Sequence, residues 1–239
     1  RENIAVFKNG EKLWAVVPAA GQGRRVGGAV PKQYLEIAGI PILTHSLNRL
    51  AAVQQVDAIF VGISETDRHW QRLPLPHGMQ VASYTGGQSR GETVWLGLQA
   101  LQECASADDW VLVHDAARPC VQVEDIDALI SAVVPSFEGG LLAVPITDTI
   151  KIANQDSTAK QTIDRRMLWG AQTPQLFRFS VLCTALQAVA HDLESISDES
   201  AAVEKLGLNP LIVQSAEGNI KITDSKDLQL AEFFLGKQL

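Results

Sequence analysis

Apolar residues fall along this chain in short unbroken runs, separated by stretches in which they recur every three or four positions. Residues 13–17, 58–63, 110–113 and 140–144 are runs of the first kind, and a further strand is expected near 79–84. Unbroken apolarity over so few residues is expected of a strand covered on both faces, as in a parallel sheet. Residues 41–53 place Ile42, Leu43, Leu47 and Leu50 near one helical face, and residues 89–103 do the same with Val94, Leu98 and Leu101. Residues 126–134 share that spacing, whereas 65–78 are polar, contain Pro74 and Pro76, and read as a connecting loop or short helix. Strand, loop, helix and strand in this order predict an α/β fold. The expected form is a Rossmann-like, open, twisted, mainly parallel sheet with right-handed crossovers and helices on both faces. Residues 1–239 read as one domain, with no internal repeat or linker.

The pattern changes after Val144. Residues 145–152 alternate in a β manner, a polar turn follows at 154–157, and β character resumes at 162–165. Residues 145–166 therefore read as an inserted β-hairpin arm, which seldom buries both faces within its own chain, so a homodimer formed through the arm is expected. Gln172-Thr173-Pro174-Gln175 opens the final third, followed by a helix at 178–190 and a second helix for which Ser197 looks like the N-cap. Residues 211–213 and 219–223 are the last two expected strands, and 224–235 form a closing amphipathic helix.

Composition narrows the class without naming a chemistry. Of 239 residues, 46% are hydrophobic, enough for a well-formed core. The longest apolar runs are too short to cross a bilayer and the N-terminus lacks a signal-peptide pattern, so a cytoplasmic protein without membrane contact is expected. Cys104, Cys120 and Cys183 are widely spaced, without CxxC pairing, and read as thiols rather than a disulfide framework. A net charge of -7 with no extended basic face argues against nucleic-acid binding.

One window opposes that charge. Between Lys12 and Tyr34 the charged residues are Lys12, Arg24, Arg25 and Lys32, with no Asp or Glu. The same window carries Ala19, Ala20, Gly21, Gln22 and Gly23, whose small side chains allow backbone N–H groups to approach an anion closely. It reads as a polyphosphate cradle at the end of the first strand. A second turn, Gly86-Gly87 before a helix, falls on the same sheet edge, where Gly87, Gln88 and Thr93 could hold a base. Asp115 ends the strand WVLVH and is placed to bind a hard cation, or else pairs with Arg118 or caps the next helix. His114 reads as a core histidine. Lys221, between Ile220 and Ile222, points away from their face and is locally indistinguishable from a solvated lysine.

The chain lacks GxxxxGK[ST], and Val26 stands where a dinucleotide fingerprint needs its third glycine. PAAGxGRR, PKQYL, VLVHDAARP, DTIK, DR, QTPQ and NIKIT instead occur in an order that closely resembles the 2-C-methyl-D-erythritol 4-phosphate cytidylyltransferases over nearly the whole chain. The resemblance implies transfer of CMP from CTP to methylerythritol phosphate, with Mg²⁺ or another divalent cation as cofactor. Position by position it implies that Arg25 and Lys32 stabilise charge at the α-phosphate and that Asp115 lies near the metal. It also implies that Ala19, Ala20, Gly21, Gln22 and Gly23 hold the triphosphate, and that Gly87, Gln88, Thr93 and Ala116 contact the rest of CTP. Arg118, Thr149, Arg165, Thr173, Ser197 and Lys221 match sugar-phosphate positions, with Thr149 and Arg165 serving the partner subunit. Two positions depart from the pattern, since some members have Asp where this chain has Gln88 and Thr where it has Ser197. The competing readings are ribitol 5-phosphate cytidylyltransferase, a non-catalytic nucleotide-binding module and, on fold alone, a dinucleotide-dependent oxidoreductase.

Overall fold

A computed structural model describes residues 7–8, 10–21, 30–135 and 137–237. Its centre is a seven-stranded sheet built from β1 (Leu13–Pro18), β4 (Val56–Ile63), β5 (Gln80–Thr85), β6 (Trp110–Val113), β7 (Gly139–Pro145), β10 (Trp169–Arg178) and β11 (Leu211–Gln214). The strand order is β11-β7-β10-β6-β1-β4-β5, and β10 alone runs antiparallel to its neighbours.

The unbroken apolar runs have the expected cause. In β1, Leu13, Ala15 and Val17 enter the cluster formed with α1 (Ile42–Ala51) and α3 (Val123–Val133), through Leu43, Leu47, Leu50, Ile126 and Leu129. Trp14 and Val16 face the opposite layer, where Val94, Leu98 and Leu101 of α2 (Arg90–Leu101) meet Leu182 and Leu186 of α4 (Phe179–Ala188). Alternate side chains thus meet different helix layers, and no position is left for a polar residue. Ser89 caps α2 by accepting a hydrogen bond from the Glu92 peptide N–H at 3.1 Å. A smaller cluster seats α6 (Ser225–Gly236) against Ile37, Ile42, Cys120 and Ile222, and Asp224 and Asp227 close a capping box at its start.

The arm is present as β8 (Ile150–Ala153) paired antiparallel with β9 (Ala159–Ile163), a separate two-stranded sheet with most of its residues exposed. A minor hairpin of β2 (Glu36–Ile37) and β3 (Ile40–Pro41) follows the cradle. Among the described residues no helix is long and apolar enough to cross a membrane, and Cys104, Cys120 and Cys183 are all free thiols.

Two expectations require correction. Residues 219–223 are not a strand: the Ile222 N–H donates to the Ala117 carbonyl, and the Asn219 carbonyl accepts from the Arg118 guanidinium, so a loop and a side chain satisfy this backbone. Ser197 is exposed and is not a cap. Asp198 caps α5 (Glu199–Glu204) by accepting from the Ala201 N–H at 2.9 Å. Strand β10 is an addition, hidden in the sequence because Gln172, Thr173, Pro174 and Gln175 interrupt it. A register shift between Ala171 and Gln175 accommodates the proline, and the polar side chains are buried among partners.

Candidate active site

The loops that leave the carboxyl ends of β1, β4, β5 and β6 enclose two adjoining cavities, of about 900 and 200 Å³. Because β4 lies between β1 and β5, its loop at 64–66 sits between the cradle and the glycine turn, and all three line the larger cavity. The cradle and the glycine turn approach closely. A Cβ added to Gly86 would fall 2.5 Å from the Ala20 Cβ and 2.9 Å from the Thr93 Cγ2, so a side chain there would push the loops apart.

Ala20, Gly21, Lys32, Gly87, Gln88 and Lys221 line both cavities, while Ala19, Thr93, Asp115 and Ala116 line the smaller one. Gln22, Gly23, Arg24 and Arg25 lie outside the described residues. Lys32 leaves the loop in a short 3₁₀ turn and donates to the Ile222 carbonyl at 2.7 Å, which ties the cradle to the segment bearing Lys221. Thr93 is buried, and its hydroxyl donates to the Ser89 carbonyl at 2.8 Å and accepts from the Gly87 N–H at 3.1 Å. It therefore shapes the glycine turn. The Gln88 N–H is likewise engaged, by the Glu92 carboxylate at 2.6 Å.

Asp115 is the electrostatic centre. Its Oδ1 meets Arg90 Nε at 2.7 Å, and its Oδ2 meets Lys221 Nζ at 2.8 Å and Arg118 Nε at 3.5 Å. Burial pushes its carboxyl up, but the Arg90 guanidinium and then the Lys221 ammonium outweigh burial and hold it well below the usual carboxylate range. Asp115 pairs with Arg118, as one of the local alternatives had it, and lines the smaller cavity. Lys221 is half exposed and ion-paired, not merely solvated.

Arg90 and Glu199 were not singled out by sequence. Glu199, almost wholly buried, takes both terminal nitrogens of Arg90, at 2.7 and 3.0 Å. A signal existed: Arg90 occupies the first helical position of α2, where a cation opposes the helix dipole unless an anion compensates it. Lys32, Arg90, Arg118 and Lys221 together oppose Asp115, Glu199 and Glu65, the last lining the larger cavity, which leaves one positive charge in excess among these described residues.

The remaining sugar-phosphate candidates are not gathered around these cavities. Thr149 and Arg165 belong to the arm, where the Arg165 guanidinium donates to the Thr147 carbonyl, and neither lines either of these two cavities. Thr173 lies behind Asp115, with its hydroxyl accepting from the Asp115 N–H at 2.9 Å. Ser197 is exposed just ahead of α5. His114 is fully buried, as expected of a core residue. Among the described residues no group of three or more His, Cys, Asp or Glu side chains could hold a metal ion.

A mainly parallel sheet whose carboxyl-end loops enclose a glycine-rich cavity with excess positive charge defines an α/β protein built to receive a polyanion. Residues 13–237 match the family model IspD, described as 2-C-methyl-D-erythritol 4-phosphate cytidylyltransferase, and the chain belongs to that family. The protein of that name from Aliivibrio fischeri (strain ATCC 700601 / ES114) is 45% identical over 225 residues, covering 94% of each chain. That from Thiobacillus denitrificans (strain ATCC 25259 / T1) is 42% identical over 95% of this chain and 98% of its own. Among solved structures, a 4-diphosphocytidyl-2C-methyl-D-erythritol synthase superposes with a TM-score of 0.82 at 38% identity, covering 94% of this chain and 99% of the other. The Francisella tularensis 2-C-methyl-D-erythritol 4-phosphate cytidylyltransferase gives 0.80 at 34% identity, over 94% and 100%. The fold class read from the sequence and the family resemblance both hold. The chain belongs to a family of nucleotidyltransferases.

Proposed function

We propose that this protein transfers CMP from CTP to 2-C-methyl-D-erythritol 4-phosphate, giving 4-diphosphocytidyl-2-C-methyl-D-erythritol and pyrophosphate in isoprenoid precursor biosynthesis. The observation that carries the reading is the convergence of Lys32, Arg90 and Lys221 on the cavities between the cradle and the glycine turn, in a chain of this family. A phosphate oxygen of the sugar attacks the α-phosphorus of CTP. One P–O bond forms, the bond to the β-phosphate breaks, and pyrophosphate leaves. Two anions must approach, so the excess positive charge lowers the barrier by offsetting their repulsion and the charge that builds on the transferring group.

Backbone N–H groups at 19–23 cradle the triphosphate, and Arg25 and Lys32 act at the α-phosphate. The cytosine fits between that loop and Gly87-Gln88, with Thr93 holding the turn in shape and Ala116 beside it. Arg118 and Lys221 meet the sugar phosphate. Thr149 and Arg165, on an arm remote from their own cavity lining, suit a site in the partner of a homodimer, and Ser197 is accessible to the same ligand. Its free thiols suit a cytoplasmic setting.

Mg²⁺ fits the donor set in kind. Asp115 is ionised and lines the smaller cavity, and each of its oxygens retains lone-pair capacity beyond its present partners. The surrounding cations disfavour a divalent ion bound by protein alone, so Asp115 would hold one whose other ligands are triphosphate oxygens and water. When bound, the ion supplies charge neutralisation at the phosphates. The test is pyrophosphate release with CTP, Mg²⁺ and either methylerythritol 4-phosphate or ribitol 5-phosphate, with and without a chelator. Turnover with methylerythritol 4-phosphate, abolished by chelation, is expected. Turnover with ribitol 5-phosphate alone would replace the substrate assignment, and turnover surviving exhaustive chelation would remove the metal role of Asp115.

A further inference from the structure

We infer that the turn at 32–34 is a three-way bracket in which Gln33 and Tyr34 are positioning residues for the nucleotide site. The inference deepens the proposed function and rests on it. Lys32–Tyr34 is a 3₁₀ turn, and three residues per turn set successive side chains about 120° apart. Each side chain therefore leaves in its own direction, and each donates a hydrogen bond to a different segment of the site. Lys32 reaches the Ile222 carbonyl, next to Lys221, at 2.7 Å. Gln33 Nε2 donates to the Ala19 carbonyl at 2.7 Å. The Tyr34 hydroxyl donates to Asp67 Oδ2 at 2.8 Å.

Gln33 holds the start of the cradle. Ala19 follows β1 directly; its N–H donates to the Gly62 carbonyl at 2.8 Å and its carbonyl takes the Gln33 amide, so the backbone is tied on both sides just ahead of Ala20 and Gly21, which line both cavities. Gln33 borders the smaller cavity but is only 6% exposed, and Ala19 only 3%, so water does not replace the donor if the amide is lost. Tyr34 holds another wall. Asp67 Oδ1 accepts from the His69 and Trp70 N–H groups at 2.8 and 2.9 Å, and the Asp67 N–H donates to the Ser64 carbonyl at 3.0 Å. Asp67 thus folds the loop that begins at Ser64, and Ser64, Glu65 and Thr66 line the larger cavity. The Tyr34 ring also stacks on His69, with centroids 4.9 Å apart and 27° between the planes, a second contact with the same loop. Burial first, and then the facing Asp67 carboxylate, push the phenol's pKa up, so the proton stays on the tyrosine and the bond keeps its direction. Backbone N–H groups that must meet phosphate oxygens serve only if they are held in place beforehand, because a misplacement of about 1 Å can cost about a hundredfold in rate.

The experiment compares Gln33→Met and Tyr34→Phe, each of which keeps most of the side-chain volume and removes one donor, with the wild type. In the ligand-free protein, hydrogen exchange read by mass spectrometry should quicken at 19–21 in Gln33→Met and at 64–70 in Tyr34→Phe, each without the other. CTP affinity measured by calorimetry should fall by about threefold to tenfold in each variant, the net worth of one hydrogen bond, while the KM for the sugar phosphate stays within about twofold. Unchanged exchange at a residue's own segment, or a CTP Kd within about 1.5-fold of wild type, would overturn the role of that residue. Exchange that quickens at both segments in either variant would mean general loosening and would overturn the bracket. A weaker Kd in Gln33→Met with exchange at 19–21 unchanged would mean that Gln33 acts by touching the nucleotide, not by positioning the cradle. A wild type that transfers no CMP would instead defeat the proposed function, and the exchange comparison in the ligand-free protein would still decide the bracket.

Discussion

Replacing Glu199 with Ala should destabilise the fold by an amount that can be worked from the contacts of Arg90. Glu199 is 1% exposed and accepts from both terminal nitrogens of Arg90, at 2.7 and 3.0 Å, while Arg90 Nε holds Asp115 at 2.7 Å. Removing one partner of a buried pair leaves an uncompensated charge and costs about 3–5 kcal/mol. Arg90 retains Asp115, and its side chain is 25% exposed, so water recovers part of the loss and the lower end, about 3 kcal/mol, is expected. For a chain of this size each kcal/mol shifts Tm by about 2–4 °C, which gives a fall of about 6–12 °C. Circular dichroism at 222 nm on heating, with reversibility checked, provides the measurement. Adding Arg90→Met to Glu199→Ala should recover part of the loss, because both charges are then gone. A Tm within about 2 °C of wild type for Glu199→Ala, or simple additivity in the double variant, would refute the reasoning.

Acidification should expose His114. Burial is the largest cause that lowers its pKa, from 6.5 to about 4, so the folded state resists the proton that the unfolded chain accepts. The stability linked to this group is fully present above pH 6.5 and is lost as pH falls toward 4, by roughly 3 kcal/mol in all; urea unfolding across that window should show the slope, and His114→Gln should flatten it. Asp115 has the opposite origin but the same sign, since its depressed pKa keeps it ionised above pH 4 and its contribution fades only in stronger acid. Lys32→Ala should lower kcat by on the order of a hundredfold, with near-wild-type turnover counting against its charge-stabilising role. Arg165→Ala should raise mainly the KM for the sugar phosphate. Mixed dimers with Lys32→Ala should regain activity if the arm serves the partner's site, and verified heterodimers without such a gain would dismiss the sharing.

The cradle is proposed on local grounds: small residues, an apolar strand before them and four cations without a carboxylate, of which Arg24 and Arg25 lie outside the described residues. The parallel strands were legible for a related reason, since Leu13, Ala15 and Val17 must satisfy one helix layer while Trp14 and Val16 satisfy the other. Strand β10 was not, because Gln172, Thr173 and Gln175 look unsuited to a buried strand until Ser215, Asn219, Asp115, Asp198 and Ser200 are brought beside them. Residues 219–223 erred in the other direction, with an alternating pattern that ends up against a loop rather than a strand.

Sequence by itself determined the fold class and the family, since these follow from periodicity, composition and ordered motifs. Only the tertiary structure decided which charges meet. Asp115 lies 25 residues from Arg90 and 106 from Lys221, and Arg90 lies 109 from Glu199. Coulomb energy depends on distance in space and on the exclusion of water, and neither is set by spacing along the chain.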